Sequence, residues 1–292
     1  MPSTKDFRDR IRSVANTAKV TGAMQMIAAS KMNRAQNMVR DGRPYADRIR
    51  DVLGDLAALA VEEDDTPAIE LLRVRPVRKT LMLLVTPDRG LAGALVGNLQ
   101  REAGRFILEA QGEVSVISIG RKGERFIARA GQRLVAAFSV PDRPSLDDTA
   151  TISRQLIEEY SAGRVDRVVL IYAKFINTAV QEANIRQLLP VDPPERDENA
   201  VGNLQSLDYI YEPSIVEVLE SLVPRYIEIQ VYHGILEAFA SEHSARMVAM
   251  QNATDNANEI VEELTLDLNK ARQESITAEL LDIVGGVAAL ED

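Results

Sequence analysis

The sequence contains no cysteine and no tryptophan, and aromatic residues make up only 4% of its 292 positions. Without cysteine there is no disulfide framework, no thiol catalysis and no cysteine-ligated metal, which is typical of a reducing compartment. No run of about 18 consecutive apolar residues occurs, so no segment is predicted to span a membrane. The net charge of −10 disfavours nucleic-acid binding, which depends on basic side chains that neutralise phosphates.

Basic residues are concentrated near the N-terminus. Residues 1–50 contain eleven lysines and arginines against four aspartates, and no acidic residue lies between Lys19 and Arg40. Such asymmetry favours a surface that meets an acidic partner, although a solvated helix face gives the same pattern.

Both ends of the chain show the spacing of a coiled coil. Apolar or small residues recur in alternating steps of four and three from Phe7 to Leu56, and again from Ile215 to Leu264. Read backwards, the second series matches the first, which predicts two antiparallel helices with Phe7 opposite Leu264 and Val14 opposite Ala257. Continued step for step, this register sets Thr21 opposite Met250 and Gly42 opposite Ile229. Pro44 is expected to bend or break the first helix. The predicted seam includes Phe7, Ile11, Val14, Ala18, Met32, Phe239, Met250, Ala253, Ala257, Ile260 and Leu264.

The middle of the chain has a different pattern. Short β-branched apolar runs alternate with helical stretches, which predicts a mostly parallel sheet. The predicted strands are 80–87, 113–120, 133–140 and 166–175, with 180–191 as a candidate edge strand and 190–203 as a loop. The fold class is therefore an α/β insert domain plus a long antiparallel α-helical coiled coil formed by the N- and C-terminal helices. The predicted domains are 1–60, 76–205 and 212–286.

No glycine or proline interrupts residues 241–284, so the second helix is predicted to continue beyond the start of the first. This overhang carries a row of apolar residues: Ile276, Leu280, Leu281, Ile283 and Val284. An apolar row needs an enclosing partner, unless the tail folds back onto the chain itself. In the first helix, Met24, Met26 and Ile27 cannot all face one seam, which indicates neighbours on several sides.

No arrangement of residues predicts catalysis. The segment TPDRGLAGALVGNL at 86–99 has the position of a phosphate loop, but its glycines match neither nucleotide-binding motif. His233 and His243 lack the spacing of a two-histidine metal site. These features favour an interaction protein. A nucleotide-binding α/β enzyme with helical extensions and a plain coiled-coil adaptor are the alternatives.

Four stretches carry a resemblance to a known family: VTGAMQMIAASKMNRAQ, DRGLAGAL, KFINTAVQEANIRQLLP, and residues 241–280, from SEHSARMVAM through NKARQESITAEL. The sequence resembles the gamma subunit of the rotary, F-type ATP synthase over nearly its whole length. The C-terminal signature of that family is matched at Ile276, Thr277, Glu279, Asp282 and Gly286. Two positions depart from the family: Val287 stands in place of alanine, and Gly22 in place of a commonly basic residue.

The resemblance implies a function. The chain is expected to be the central rotor shaft of the proton-driven synthase, a non-catalytic subunit that couples rotation of the membrane ring to ATP synthesis or hydrolysis at the alpha and beta subunits. Further partners are the epsilon subunit and the membrane c-ring, and one copy is expected per complex. The expected location is peripheral, at the cytoplasmic face of the cell membrane. No cofactor or metal is expected on this chain, since ATP, ADP and Mg bind the partner subunits.

The resemblance also assigns residues to roles. The basic members of the coupling set would face acidic loops of the catalytic subunits, and the tip would sit in an apolar bearing formed by the ring. The expected ring-contact and coupling residues are Met24, Lys31, Arg34, Arg246, Arg272, Gln273, Thr277 and Glu279. The expected bearing tip is Leu280, Leu281, Ile283 and Val284.

Overall fold

Two long helices begin and end the chain. The computed structural model describes residues 4–62, 70–192 and 214–291, and its first and last helices are α1 (Thr4–Glu62) and α5 (Ile215–Glu291). They pack together in antiparallel orientation, which confirms the predicted coiled coil. The contacts between residues divide the chain into two compact units: residues 1–29 with 246–292, and residues 30–245. The first unit consists of helix alone, whereas the second contains the sheet.

The sheet alternates with three shorter helices in the order predicted from the sequence. The strands are β1 (Lys79–Val85), β2 (Glu113–Ile119), β3 (Arg133–Phe138), β4 (Arg167–Phe175) and β5 (Gln181–Leu189). The helices are α2 (Leu95–Glu109), α3 (Arg121–Arg129) and α4 (Leu146–Ser161), and a 3-10 turn covers Glu70–Leu72. The predicted loop at 190–203 lies largely outside the described residues.

The strands form one sheet in the order β3-β2-β1-β4-β5, with the first four parallel. The predicted edge strand is confirmed: β5 pairs antiparallel with β4 at the sheet edge. A connection of only five residues explains its direction, since a parallel partner would need a long crossover. Apolar clusters cover both faces of the sheet, as parallel strands require.

Helix α5 lies very close to the sheet in the second unit. A Cβ on Gly234 would lie 2.5 Å from Leu170 Cδ2 on β4, so any larger residue would force the buried Leu170 side chain to shift. About two turns further along, the Ser241 hydroxyl donates a 2.9 Å hydrogen bond to the carbonyl of Ala173. Helix α1 joins the same core through Leu53 and Leu56. The α/β domain is therefore built onto segments of both long helices.

The predicted seam faces inward at nearly every position. Within the helical unit, Ala18, Met250 and Ala257 are buried, while Phe7, Ile11, Val14, Ala253 and Leu264 are half-buried. In the α/β unit, Met32 is buried and Phe239 half-buried. The prediction is wrong at Ile260, which is 44% exposed; its neighbour Val261 is half-buried in its place.

The predicted register is also wrong, by one helical turn. It sets Thr21 against Met250, yet the Thr21 and Thr254 hydroxyls lie 2.6 Å apart. In the α/β unit, Gly42 meets His233, four residues beyond Ile229, its predicted partner. The stripe on α5 runs through Met250, Thr254, Ala257, Val261, Leu264, Leu268 and Ala271. The predicted seam shares Met250, Ala257 and Leu264 with this stripe but lacks Thr254, a polar residue whose hydroxyl is hydrogen-bonded to Thr21 and to the Met250 carbonyl.

The expected break at Pro44 does not occur, since α1 is continuous through that residue. Proline removes one backbone donor and leaves a carbonyl one turn earlier without its usual partner. Pro44 lies on the exposed side of α1, where water can solvate that carbonyl. The helix therefore continues to Glu62.

Candidate functional site

The C-terminal part of α5 presents apolar side chains to solvent. Ile276, Leu280, Leu281, Ile283 and Val284 are each between 48% and 67% exposed. These exposures agree with the predicted overhang and disagree with a tail that folds back onto the chain. Such a row of exposed aliphatic side chains marks a surface suited to a protein partner.

Polar residues of the predicted coupling set share this part of α5. Arg272, Gln273, Thr277 and Glu279 are all exposed. The Thr277 hydroxyl donates to the Gln273 carbonyl at 2.9 Å, a bond within the helix. Among the described residues, neither Arg272 nor Glu279 forms an ion pair. Their charges are therefore available to a partner of the exposed helix.

The remaining members of the coupling set lie on two different units. Met24 and Arg246 are half-buried in the helical unit, whereas Lys31 and Arg34 lie on α1 in the α/β unit. Lys31 forms an ion pair and hydrogen bond with Asp142, which follows β3. Arg34 is exposed, and within the described part of the chain its guanidinium donates only to the carbonyl and hydroxyl of Ser30, each at 3.2 Å. The two basic residues thus have different electrostatic surroundings.

Exposed apolar groups also lie off the seam of α1. Val20, Met26 and Ile27 are each between 58% and 69% exposed, while Met24 is half-buried. The prediction that Met24, Met26 and Ile27 cannot all face the seam is confirmed. This part of α1 adds a second apolar surface within the helical unit.

The loop after β1 has the position of a phosphate loop, but it is held by a neutral hydroxyl and an acidic carboxylate. The Thr86 hydroxyl accepts a 2.7 Å hydrogen bond from the Gly123 amide, and the Asp88 carboxylate accepts one of 3.0 Å from the Arg121 amide. Arg121 begins α3, so a carboxylate already occupies the helix end that attracts anions. This arrangement favours a structural turn over a site for phosphate.

A polar cluster that sequence reasoning missed lies between α5 and β5. Arg186 donates to the Tyr172 hydroxyl at 2.6 Å and to Gln230 Oε1 at 2.9 Å. Burial raises the pKa of Tyr172 to about 12, although the positive charge of Arg186 acts in the opposite direction. Glu237 Oε2 is buried without a hydrogen-bond partner among the described residues. The sequence signal that could have predicted this cluster is the presence of two charged residues, Arg186 and Glu237, at inward-facing positions of β5 and α5.

The cluster borders a cleft of about 390 Å³ between α1, β5 and α5. His233 lines this cleft, and burial lowers the pKa of its imidazole, with the nearby Glu237 acting in the opposite direction. His243 is buried elsewhere on α5. The two histidines therefore belong to separate surroundings within the α/β unit.

Among the described helices, none contains a stretch long and apolar enough to cross a bilayer.

The chain is similar to known proteins along almost all of its length. Residues 3–290 match the family model described as ATP synthase. The ATP synthase gamma chain of Dehalococcoides mccartyi strain 195 is 51% identical over 291 residues, which cover 99% of this chain and 100% of the relative. The gamma chain of Roseiflexus sp. strain RS-1 is 50% identical, with 100% of both chains covered.

Solved structures support the fold at lower identity. A chain of the Euglena gracilis mitochondrial ATP synthase rotor aligns with a TM-score of 0.66 at 16% identity, covering 94% of this chain and 98% of that one. A chain of the Tetrahymena thermophila central stalk and c-ring structure aligns with a TM-score of 0.60 at 24% identity, covering 80% and 99%. At these identities the alignments support the fold of this chain.

Proposed function

Since the chain belongs to the family of ATP synthase gamma chains, we propose that it forms the central rotor shaft of a proton-driven F-type ATP synthase. In this role it couples rotation of a membrane c-ring to ATP synthesis or hydrolysis at the alpha and beta subunits. The structural neighbours come from a rotor and from a central stalk with its c-ring, which supports the assignment.

The exposed apolar row near the end of α5 is the observation that carries the proposal. Aliphatic side chains from Ile276 to Val284 face solvent on a helix that this chain leaves uncovered there. Their burial in an apolar bearing of alpha and beta subunits would remove them from water, which is favourable in proportion to the area covered. The row therefore suits a shaft end held inside a ring.

Coupling requires that each catalytic subunit meet a different surface of the shaft. A ligand or partner shifts a conformational equilibrium only through contacts that differ between the two states. Around the exposed part of α5, Arg272 and Glu279 present opposite charges beside the apolar row. Rotation of such an asymmetric helix would change the contacts of each catalytic subunit in turn.

The proposal includes the partners and the location of the chain. One copy per complex meets the alpha and beta subunits, the epsilon subunit and the c-ring, at the cytoplasmic face of the cell membrane. ATP, ADP and Mg bind the partner subunits, and the chain itself performs no catalysis. What supports these assignments is the family membership together with the rotor and c-ring assemblies of the structural neighbours.

The test is reconstitution with purified alpha and beta subunits. The chain alone should show no ATP hydrolysis, and adding it to the partners should yield an active complex. Glutamate at both Leu281 and Val284 should weaken assembly at least about tenfold, the effect of about 1.4 kcal/mol of lost contact. Leu108→Glu is the matched control, since Leu108 is 87% exposed on α2 and belongs to the other compact unit. Equal activity with and without the chain would overturn the proposal.

A further inference from the structure

The loop between β3 and α4, residues 139–145, makes contacts with both long helices; we call it the strap loop. Asp142 of the strap loop accepts a hydrogen bond from the Lys31 ammonium on α1. Two residues later, the Pro144 carbonyl accepts a 3.2 Å hydrogen bond from the Tyr232 hydroxyl on α5. All of these residues lie in the unit formed by residues 30–245. One short loop thus connects the sheet to α1 and to α5.

The local sequence stiffens the strap loop. Pro141 and Pro144 each restrict one backbone angle of the seven-residue segment. At its end, Ser145 caps α4 through a reciprocal pair: the Asp148 amide donates to the Ser145 hydroxyl, and the Ser145 amide donates to the Asp148 carboxylate at 2.7 Å. Asp142 is therefore presented from a loop whose end is fixed to a helix.

The Asp142 carboxylate is surrounded by positive charge. The hydrogen bond from Lys31 lowers the pKa of Asp142, and the charges of His243 and Arg89 act in the same direction, against the opposing effect of partial burial. Asp142 therefore stays ionised at neutral pH and compensates the charge of Lys31. The ion pair as a whole presents little net charge to an approaching partner.

Arg34, one turn further along α1, provides the contrast. Its guanidinium donates to Ser30, whose carbonyl and hydroxyl are neutral acceptors. The positive charge of Arg34 is therefore not compensated by an anion among the described residues, while that of Lys31 is. An acidic partner surface would be attracted to Arg34 more strongly than to Lys31.

We propose that Lys31 acts within the chain, with Asp142 as its positioning residue, and that the strap loop fastens the α/β domain to α1 at Lys31 and to α5 at Tyr232. For its activity readout this inference rests on the proposed rotor function. A shaft transmits torque only if its α/β domain cannot turn against its helices, and the strap loop resists such turning at two points. Lys31 then affects coupling without touching a catalytic subunit.

A charge swap separates the intrachain role from a partner contact. The variants are Lys31→Glu, Asp142→Lys and the double variant with both changes, each made in the full chain. Each single change should lower the melting temperature by about 1–3 °C, a small shift because the pair is largely exposed, with 68% of the Asp142 side chain accessible to solvent. The double variant should recover at least half of that shift, because the opposite charges meet again in exchanged positions. Asp142→Glu keeps the ion pair and should remain close to the native melting temperature.

The same variants are then reconstituted with alpha and beta subunits, and with membranes that contain the c-ring. Each single change should lower the ratio of protons transported to ATP hydrolysed, and the double variant should restore it. Arg34→Glu is the matched control: its melting temperature should stay native while complex activity falls. A double variant that recovers stability but not coupling would overturn the inference, because Lys31 would then contact a partner.

Unchanged stability and coupling in both single variants would overturn it as well. Failure of the rotor function is recognised separately, since the native chain would then not activate the alpha and beta subunits. The melting temperatures of the variants would then still show whether the Lys31–Asp142 ion pair stabilises the strap loop.

Discussion

At Gly120 the turn between β2 and α3 lies directly against the backbone after β1. Its φ of 88° is in a region that other residues rarely adopt, and a Cβ there would lie 1.9 Å from the Thr86 carbonyl oxygen. Gly123, which donates to the Thr86 hydroxyl, is nearly as confined, since a Cβ on it would lie 2.7 and 2.8 Å from two side-chain oxygens. Two glycines thus permit the contact that fixes the loop after β1.

Gly120→Ala should therefore lower the free energy of unfolding by at least about 2 kcal/mol, through backbone strain together with the clash. The matched control is Gly97→Ala on α2, where the glycine is exposed and no atom outside the local helix backbone lies within 4 Å of a new Cβ. That change should raise stability by roughly 0.5–1 kcal/mol, because alanine loses less backbone entropy on folding. Urea unfolding followed by circular dichroism compares the two. Equal effects would contradict the confined geometry at Gly120.

Among the elements, the two long helices show what a seam pattern can predict. The spacing of three and four identified the buried stripe of α1 from Phe7 to Leu56 at every position. It did not determine how far one helix slides along the other, because small seam residues such as Ala18 and Ala257 fit at several axial positions. The Thr21–Thr254 hydrogen bond selects one of them.

Introduced cysteines can test that register, since the native chain has none. Val14→Cys combined with Val261→Cys should form a disulfide under mild oxidation. Val14→Cys combined with Ala257→Cys, the pair expected from the sequence alone, should react more slowly, because disulfides require Cα atoms within about 7 Å. Mobility on non-reducing gels measures both. Faster reaction of the second pair would contradict the register described by the structure.

For the whole molecule, the two compact units should differ in local stability. The central strands β1 and β4 are buried between two apolar clusters in residues 30–245. The exposed part of α5 from Arg272 to Val284 has no comparable burial. Opening costs least where few apolar contacts are lost.

Hydrogen exchange should therefore be slowest at amides of β1 and β4, and fast at amides of residues 272–284. Addition of alpha and beta subunits should slow exchange in residues 272–284, because the partners would bury that part of α5. Exchange in β1 should stay unchanged. Mass spectrometry of peptides from both regions gives the comparison within one sample. Exchange in 272–284 that is already slow in the free chain would contradict this difference.

Most elements of the fold could be predicted because their signals are local. A strand such as β4 is a run of aliphatic residues, and the buried face of α1 repeats every three to four residues. The exposed row from Ile276 to Val284 followed from the same reasoning, because helix length and apolar spacing are both visible in sequence.

By itself, the sequence determined the alternation of strands and helices, the pairing of its two ends and the apolar character of the α5 tip. Only the tertiary structure decided the axial register of the helices, the Arg186–Tyr172 cluster and the bond between Lys31 and Asp142. These contacts join groups on different elements, which are 233 residues apart for Thr21 and Thr254, 14 for Tyr172 and Arg186, and 111 for Lys31 and Asp142. Periodicity encodes which face of an element is buried, whereas polar groups on different elements meet only after those elements have packed against each other.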